Sequence, residues 1–389
     1  MKFFIISGEA SGDLHGANLA KQILLQQQSA AIQGWGGDKM QAQGVKILKH
    51  YKDLAFMGFW EVATHLPEIL RNFAQCKKQI NEFKPDAIIL IDYPGFNLRM
   101  AKWLHRNNYK VIYYIAPQVW AWHSSRIKQI KKHVNLLFPV LPFEKSFFEK
   151  HGVNTEYFGH PLLDIIKDYG GEVSPCKKAA EASFLTPSAG NSVSTLSQTV
   201  TAPQRPSKHI VIMAGSRRQE LKRMLPTLLK AASRFPNKKF VIAGTEHLPK
   251  KLYTEALKEY PQVEVVFNQT YSLLSQAEAA IVKSGTSTLE AALFNVPEVV
   301  VYKTSGISYR IAKTVVSKKI KYISLVNLIL NKNAVPELIQ NDFTVDNITK
   351  ELNKILSNPD EQKQNFVHLA KMLGNGNTAE QIAKQIITI

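Results

Sequence analysis

The chain has 389 residues, 45% of them hydrophobic and 21% charged, which fits a folded globular protein and excludes a disordered or fibrous one. The length exceeds one ordinary core and favours two domains. With 49 Lys and Arg against 31 Asp and Glu, the formal charge of +18 favours an anionic partner, and two cysteines rule out a disulfide framework or a paired-cysteine metal site.

The opening MKFFIISGEASGD has too short an apolar run for a secretory leader, and Phe3–Ile6 reads as a buried first strand. No apolar run approaches the roughly 18 residues that span a bilayer, so a cytoplasmic protein that can touch a membrane face is expected. Gly8–Asp13 reads as a loop and Leu14–Gln26 as a helix. This βα unit lacks the GxGxxG dinucleotide fingerprint. Its small residues, Gly12 among them, either let a ligand approach the backbone or simply make a tight turn. Gly34–Met40 is a second glycine-rich loop. In Ala55–Phe73, Met57, Phe59 and Trp60 form an apolar stripe. Such a stripe serves as core, or as a patch for an acyl chain or bilayer surface.

Asp86–Asp92 is an apolar strand between two acids. Strand C-termini in parallel sheets face the ligand crevice, so Asp92 is placed for chemistry, or else caps a loop. A turn and a helix over Leu98–Arg106 follow, then a strand Lys110–Ile115. Trp120 and Trp122 precede a basic helix, SSRIKQIKKH. That pairing suits an anionic lipid surface, single-stranded nucleic acid, or a plainly solvated face. Strand Asn135–Leu141, helix Pro142–His151 and strand Thr155–Gly159 complete a doubly wound parallel pattern. From Gly170 to Ser207, Ser, Thr, Ala, Pro and Gln dominate, as in a flexible linker or insertion.

Alternation then resumes. Strand His209–Met213 leads into Gly215-Ser216-Arg217, where a guanidinium suits phosphate. Helix Glu220–Phe235, strand Lys239–Ala243, helix Pro249–Glu259, strand Val263–Phe267 and helix Tyr271–Gln276 follow. In Ile281–Thr304, a strand ends in Lys283 and a small-residue turn (Ser284, Gly285, Thr286) opens a helix. N–H groups at such a helix start stabilise an anion, and Glu290, one turn in, could accept two ribose hydroxyls. A plain βα unit with close packing is the alternative. Basic helices over Tyr309–Lys319, a segment Lys321–Leu330 with Asn327, and further helices finish the chain. No DxD, Walker A or GxSxG motif occurs, so neither metal nor cofactor is implied.

The motifs SGEASGD (Ser7–Asp13), IDYPGFN (Ile91–Asn97), PQVWAW (Pro117–Trp122), LPFEK (Leu141–Lys145), GHP (Gly159–Pro161), GSRRQE (Gly215–Glu220), SGTSTLE (Ser284–Glu290) and YISLVNLI (Tyr322–Ile329) occur in this order across nearly the whole chain. Jointly they resemble the lipid-A-disaccharide synthase family. The resemblance implies an α/β GT-B fold, two facing Rossmann-like doubly wound domains with a cleft between them. The expected domains are 1–169, joined by a C-terminal helix within 366–389 and binding acceptor and lipid; a 170–207 linker; and a UDP-sugar domain, 208–365. The implied reaction is an inverting transfer from UDP-2,3-diacylglucosamine to 2,3-diacylglucosamine 1-phosphate, giving a β(1→6) disaccharide, on the cytoplasmic face of the inner membrane.

The resemblance makes Asp92 the catalytic residue. It assigns Gly12, Ser216, Arg217, Ser284, Gly285, Thr286, Glu290 and Asn327 to the UDP donor. Met57, Phe59, Trp60, Trp120 and Trp122 are the candidates for acyl or membrane contact. An anionic membrane surface is an expected partner, nucleic acid is not, and a homodimer stays open. Many members carry an aspartate where this chain has Gly95, which leaves Asp92 as the one acid at that turn. Other GT-B enzymes acting on UDP-N-acetylglucosamine, whether transferase or epimerase, and a nucleic-acid-binding protein are the rival readings.

Overall fold

The computed structural model describes residues 1–54, 66–120, 125–168, 208–246, 248–304 and 321–388. Met57, Phe59, Trp60, Trp122, the 170–207 insertion and the stretch 309–319 lie outside the described residues. The chain divides into two compact units, Met1–Asp164 with Leu373–Ile389, and Ile165–Met372.

The first unit is built on six parallel strands: β1 (Lys2–Ser7), β2 (Ala31–Gly36), β3 (Lys46–His50), β4 (Ala87–Ile91), β5 (Lys110–Tyr114) and β6 (Leu136–Phe138). Their order is β3-β2-β1-β4-β5-β6, the Rossmann arrangement. Helices cover both faces, so central strands are apolar throughout: Phe3 to Ile6 and Ile88 to Ile91 are fully buried. The strand order reverses between β1 and β4, and the crevice at their C-terminal ends is where such folds bind ligands.

Helix α1 (Ala10–Gln26) begins ahead of the expected Leu14, so Gly12 and Asp13 are helical rather than in a loop. Gly12 is buried because Ser7 Oγ and Ile91 leave no room for a Cβ. Asp13 accepts from the N–H groups of Gly37, Lys39 and Met40 at 2.7, 3.1 and 3.1 Å, capping helix α2 (Asp38–Ala42). That fixes the segment Gly34–Met40 read as a second glycine loop, of which Gly34, Trp35 and Gly36 belong to β2. Gly34 lies within β2 opposite Ile5, and it is glycine because the Ile5 carbonyl occupies the place of a Cβ. The strand expected at Thr155–Gly159 reduces to one bridge, Leu137 to Thr155.

The C-terminal helix Thr378–Ile387 packs on this unit, burying Ile382, Ala383 and Ile386 against Phe3, Ile5 and Ala20. Its start is capped by Asp164, which accepts from the N–H groups of Thr378 (3.0 Å) and Ala379 (2.8 Å). Burying each isoleucine stabilises by about 1.5–3 kcal/mol.

The second unit repeats the plan with β7 (His209–Met213), β8 (Phe240–Gly244), β9 (Val263–Phe267), β10 (Ala277–Lys283), β11 (Glu298–Tyr302) and β12 (Glu337–Ile339). All pair in parallel in the order β12-β11-β10-β7-β8-β9, so the reversal falls between β7 and β10. Its core is sealed by Leu225, Leu228 and Leu229 of helix Arg218–Ala232, and by Ile348 and Leu352 of helix Val345–Ser357.

Candidate active site

In the first unit, β1 and β4 are in register with Ser7 opposite Ile91, so their loops emerge side by side at the reversal point. Asp92 leaves β4 there with φ 45°, and Tyr93 follows with φ 47°. Two successive non-glycine residues in the left-handed region cost about 1–3 kcal/mol each, so something must hold them. The Asp92 carbonyl accepts from Tyr113 Oη at 2.7 Å and Asn97 Nδ2 at 2.8 Å, and its N–H donates to the Tyr114 carbonyl at 3.2 Å. Tyr113 and Asn97 are fully buried. The Tyr93 ring stacks on Phe96 and lies over Gly8, whose Cβ would come within 2.5 Å of it. The helix Pro94–Arg106 then starts at once, with proline in its first turn.

Burial pushes the Asp92 carboxyl up to about 6; the Glu9 carboxylate adds to the rise and the Tyr93 N–H opposes it. Asp92 is thus ionised at neutral pH yet close enough to titration to exchange a proton, the property of a general base. Gly95 is exposed, with nothing within 4 Å of a Cβ built on it. Beneath the loop, His15 is lowered to about 4 by burial and the Lys39 charge, and His160 to about 3 by burial and by His15. Both imidazoles are neutral at pH 7; the His15 ring meets Tyr114 edge-on at 6.5 Å, and His160 Nδ1 accepts from the Leu162 N–H at 3.2 Å.

Trp120 is half-buried. Its indole N–H donates to Glu144 at 2.9 Å, and its ring meets Phe143 edge-on at 5.1 Å. Glu144 also accepts from the N–H groups of Val140 (3.1 Å) and Leu141 (3.0 Å). Burial raises its carboxyl to about 7 against those hydrogen bonds. Trp120 is therefore an anchor joining the PQVW segment to the LPFEK helix start.

In the second unit, Gly215 (φ 104°), Ser216 and Arg217 leave β7, and Ser284, Gly285 and Thr286 leave β10, with Met213 paired to Val282. The two turns are neighbours at the reversal point. Ser216 and Arg217 are exposed. Gly285 has φ 153°, and the helix Thr286–Leu293 begins directly after it. Its first N–H groups lack intrahelical acceptors and favour an anion. Thr288 Oγ1 closes the turn on the Gly285 carbonyl at 2.9 Å.

Glu290 accepts from Tyr271 Oη at 3.0 Å, and burial raises its carboxyl while Tyr271 and Ser287 oppose the rise. Ser284 is buried: its hydroxyl donates to the Ile323 carbonyl (3.1 Å) and its N–H to Val301 (2.9 Å). Both bonds hold the turn in place.

Asn327 lies in the first turn of the helix Leu325–Leu330. It is fully buried, and its carboxamide oxygen accepts from the N–H groups of Ala334 (2.7 Å) and Val335 (2.9 Å). Its amide nitrogen donates to the Val335 carbonyl (2.8 Å) and Glu337 (2.9 Å). All its hydrogen-bonding capacity folds the segment before β12. Gly12 is buried in the first unit, and the other nucleotide candidates belong to the second. Sequence reasoning overlooked Tyr113, Asn97 and Glu144, and the ion pair of Lys283 with Glu220 at 3.1 Å. A lysine ending a buried strand just before a small-residue turn was the available signal for the last. Among the described residues, no group of three or more His, Cys, Asp or Glu could hold a metal ion, and no helix is long and apolar enough to cross a membrane.

Two Rossmann-like units in one chain define the GT-B fold class. Solved structures agree on the fold. The UDP-GlcNAc 2-epimerase from Neisseria meningitidis, bound to UDP-GlcNAc, has a TM-score of 0.60 at 14% identity over 100% of both chains. The calicheamicin glycosyltransferase CalG4 has a TM-score of 0.57 at 12% identity over 100% of this chain and 97% of its own. The lipid-A-disaccharide synthetase family model matches residues 3–388. The lipid-A-disaccharide synthases of Syntrophus aciditrophicus and Geobacter metallireducens are each 34% identical, over 99% and 98% of this chain and 97% and 95% of their own lengths. The chain belongs to the lipid-A-disaccharide synthase family, glycosyltransferases of lipid A biosynthesis.

Proposed function

We propose that this enzyme transfers 2,3-diacylglucosamine from its UDP derivative to the primary hydroxyl of 2,3-diacylglucosamine 1-phosphate, with inversion, giving a β(1→6) disaccharide 1-phosphate and UDP. Asp92 takes the hydroxyl proton as that oxygen bonds to the anomeric carbon. The bond from that carbon to the diphosphate oxygen breaks, and UDP leaves with the electron pair. Arg217 and the N–H groups at Gly285–Thr286 stabilise the charge growing on the leaving diphosphate. Glu290 receives the ribose hydroxyls.

The observation that carries this reading is Asp92: a carboxylate in a strained, doubly anchored turn at the sheet reversal, raised to about 6. General-base assistance is worth about 10²–10⁴ in rate. Asp92→Asn should lose turnover by that factor while binding UDP normally. A variant with near-normal turnover refutes the base, and Arg217→Ala with unchanged UDP affinity refutes the leaving-group role.

The functional domains follow: the first unit handles the acceptor and lipid, the second the UDP sugar. The enzyme works at the cytoplasmic face of the inner membrane. The +18 charge and the exposed Lys128, Lys131 and Lys132 on helix Ser125–His133 favour an anionic leaflet.

A further inference from the structure

The turns after β7 and β10 are joined from behind by one ion pair. Glu220, in the first turn of helix Arg218–Ala232, accepts on Oε1 from Lys283 Nζ at 3.1 Å. Lys283 is the last residue of β10, and its ammonium also lies over the Tyr302 ring at 5.8 Å. The two side chains are only 14% and 21% exposed, so the pair is largely dry. In that setting, removing one partner leaves the other charge without compensation. Glu220 also touches its own turn: a Cβ on Gly215 would come within 2.5 Å of Oε2, a buried oxygen with no hydrogen-bond partner. Lys283 touches the other: Nζ is 3.8 Å from a Cβ built on Gly285. Each member therefore sits behind the glycine of one turn, and the bond between them ties the turns together.

We infer that Glu220 and Lys283 are positioning residues that fix the spacing of the Gly215–Arg217 and Ser284–Thr286 turns, and through it the affinity for the diphosphate of a nucleotide. This rests on reading the second unit as the UDP site. Lys283 then acts through Glu220, not on the phosphates. The contrasting arrangement, Lys283 as a phosphate ligand held back by Glu220, gives the opposite sign when Glu220 is neutralised.

The test is calorimetric binding of UDP to the full-length protein, its Lys283→Met, Glu220→Gln and Lys283→Arg variants, and the double variant of the first two. Each neutralising variant should weaken UDP by about tenfold, with the double variant no weaker than either single one, because the two act as one unit. Lys283→Arg keeps the ion pair and should stay within about threefold of wild type. KM for the UDP sugar should rise more than kcat falls. Where Lys283→Met fails to fold, Glu220→Gln, similar in shape, carries the comparison. A Glu220→Gln protein that binds UDP as tightly as wild type or more so, or additive losses in the double variant, overturns the inference. Wild-type protein that does not bind UDP overturns the nucleotide site itself, whereas wild-type binding with unaffected variants overturns the positioning pair alone.

Discussion

Asp92→Asn should stabilise the protein at high pH and leave it unchanged at low pH. The carboxyl titrates at about 6 in the fold against an ordinary value of 3.8. A group raised on folding binds its proton more tightly in the native state. Its contribution is fully present below the unfolded value near 4 and is lost as pH rises through about 6. The difference of about 2 units, at about 1.36 kcal/mol each, makes ionised Asp92 cost about 3 kcal/mol above pH 7. Asparagine matches the shape of the neutral acid and avoids that cost. All five tryptophans, Trp35, Trp60, Trp103, Trp120 and Trp122, precede residue 165, so their fluorescence reports unfolding of the first unit. Urea unfolding followed this way should show Asp92→Asn about 2–3 kcal/mol more stable at pH 8 and within about 0.5 kcal/mol at pH 4. A difference that does not change with pH, or a variant less stable at pH 8, would refute the assignment of burial as the cause.

Other outcomes follow from single contacts. Glu144→Ala leaves the Val140, Leu141 and Trp120 N–H groups without their acceptor, and should cost about 2–4 kcal/mol by the same fluorescence assay; Trp120→Phe should cost less. Ile386→Ala should destabilise the first unit by about 2–4 kcal/mol, and an unchanged urea midpoint would deny the C-terminal helix its packing role. Gly95→Asp meets no obstacle in the first turn of its helix. It should leave the melting temperature intact while its charge moves the acidic limb of the kcat profile to higher pH, by up to about one unit. Co-sedimentation with vesicles rich in phosphatidylglycerol should be strong at 50 mM salt and fall severalfold by 500 mM, since the Debye length shrinks to about 4 Å; binding insensitive to salt would remove electrostatics from the membrane contact.

The two sheets were legible because their central strands are continuous apolar runs bounded by turn residues: FFII, AIILI, HIVIM and VVVY allow few other readings. The edges were not. β3 (KILKH) carries two lysines and a histidine in five residues and β12 (ELI) has only three residues, too little pattern to separate from loop. β2 hid behind Gly34 and Gly36, which are there because neighbouring atoms fill the space of a side chain, and glycine in isolation reads as a turn. Asp92 stands out in the sequence by its place at a strand end, and the Gly285 turn by its small residues. The groups that hold Asp92 could not be found that way. Tyr113 lies in a different strand and reaches Asp92 only once β5 pairs with β4. The partners of Asn327 were equally hidden: its side-chain hydrogen bonds to Ala334, Val335 and Glu337 exist only once the segment before β12 is folded.

The most direct measurement is product analysis. Purified protein is given UDP-2,3-diacylglucosamine and 2,3-diacylglucosamine 1-phosphate without added metal, and the lipid product is examined by mass spectrometry and by NMR at the anomeric carbon. The account predicts a β(1→6)-linked disaccharide 1-phosphate released with UDP, formed about 10²–10⁴-fold more slowly by Asp92→Asn. Folded, UDP-binding protein that yields no disaccharide, or yields an α-linked one, would contradict it.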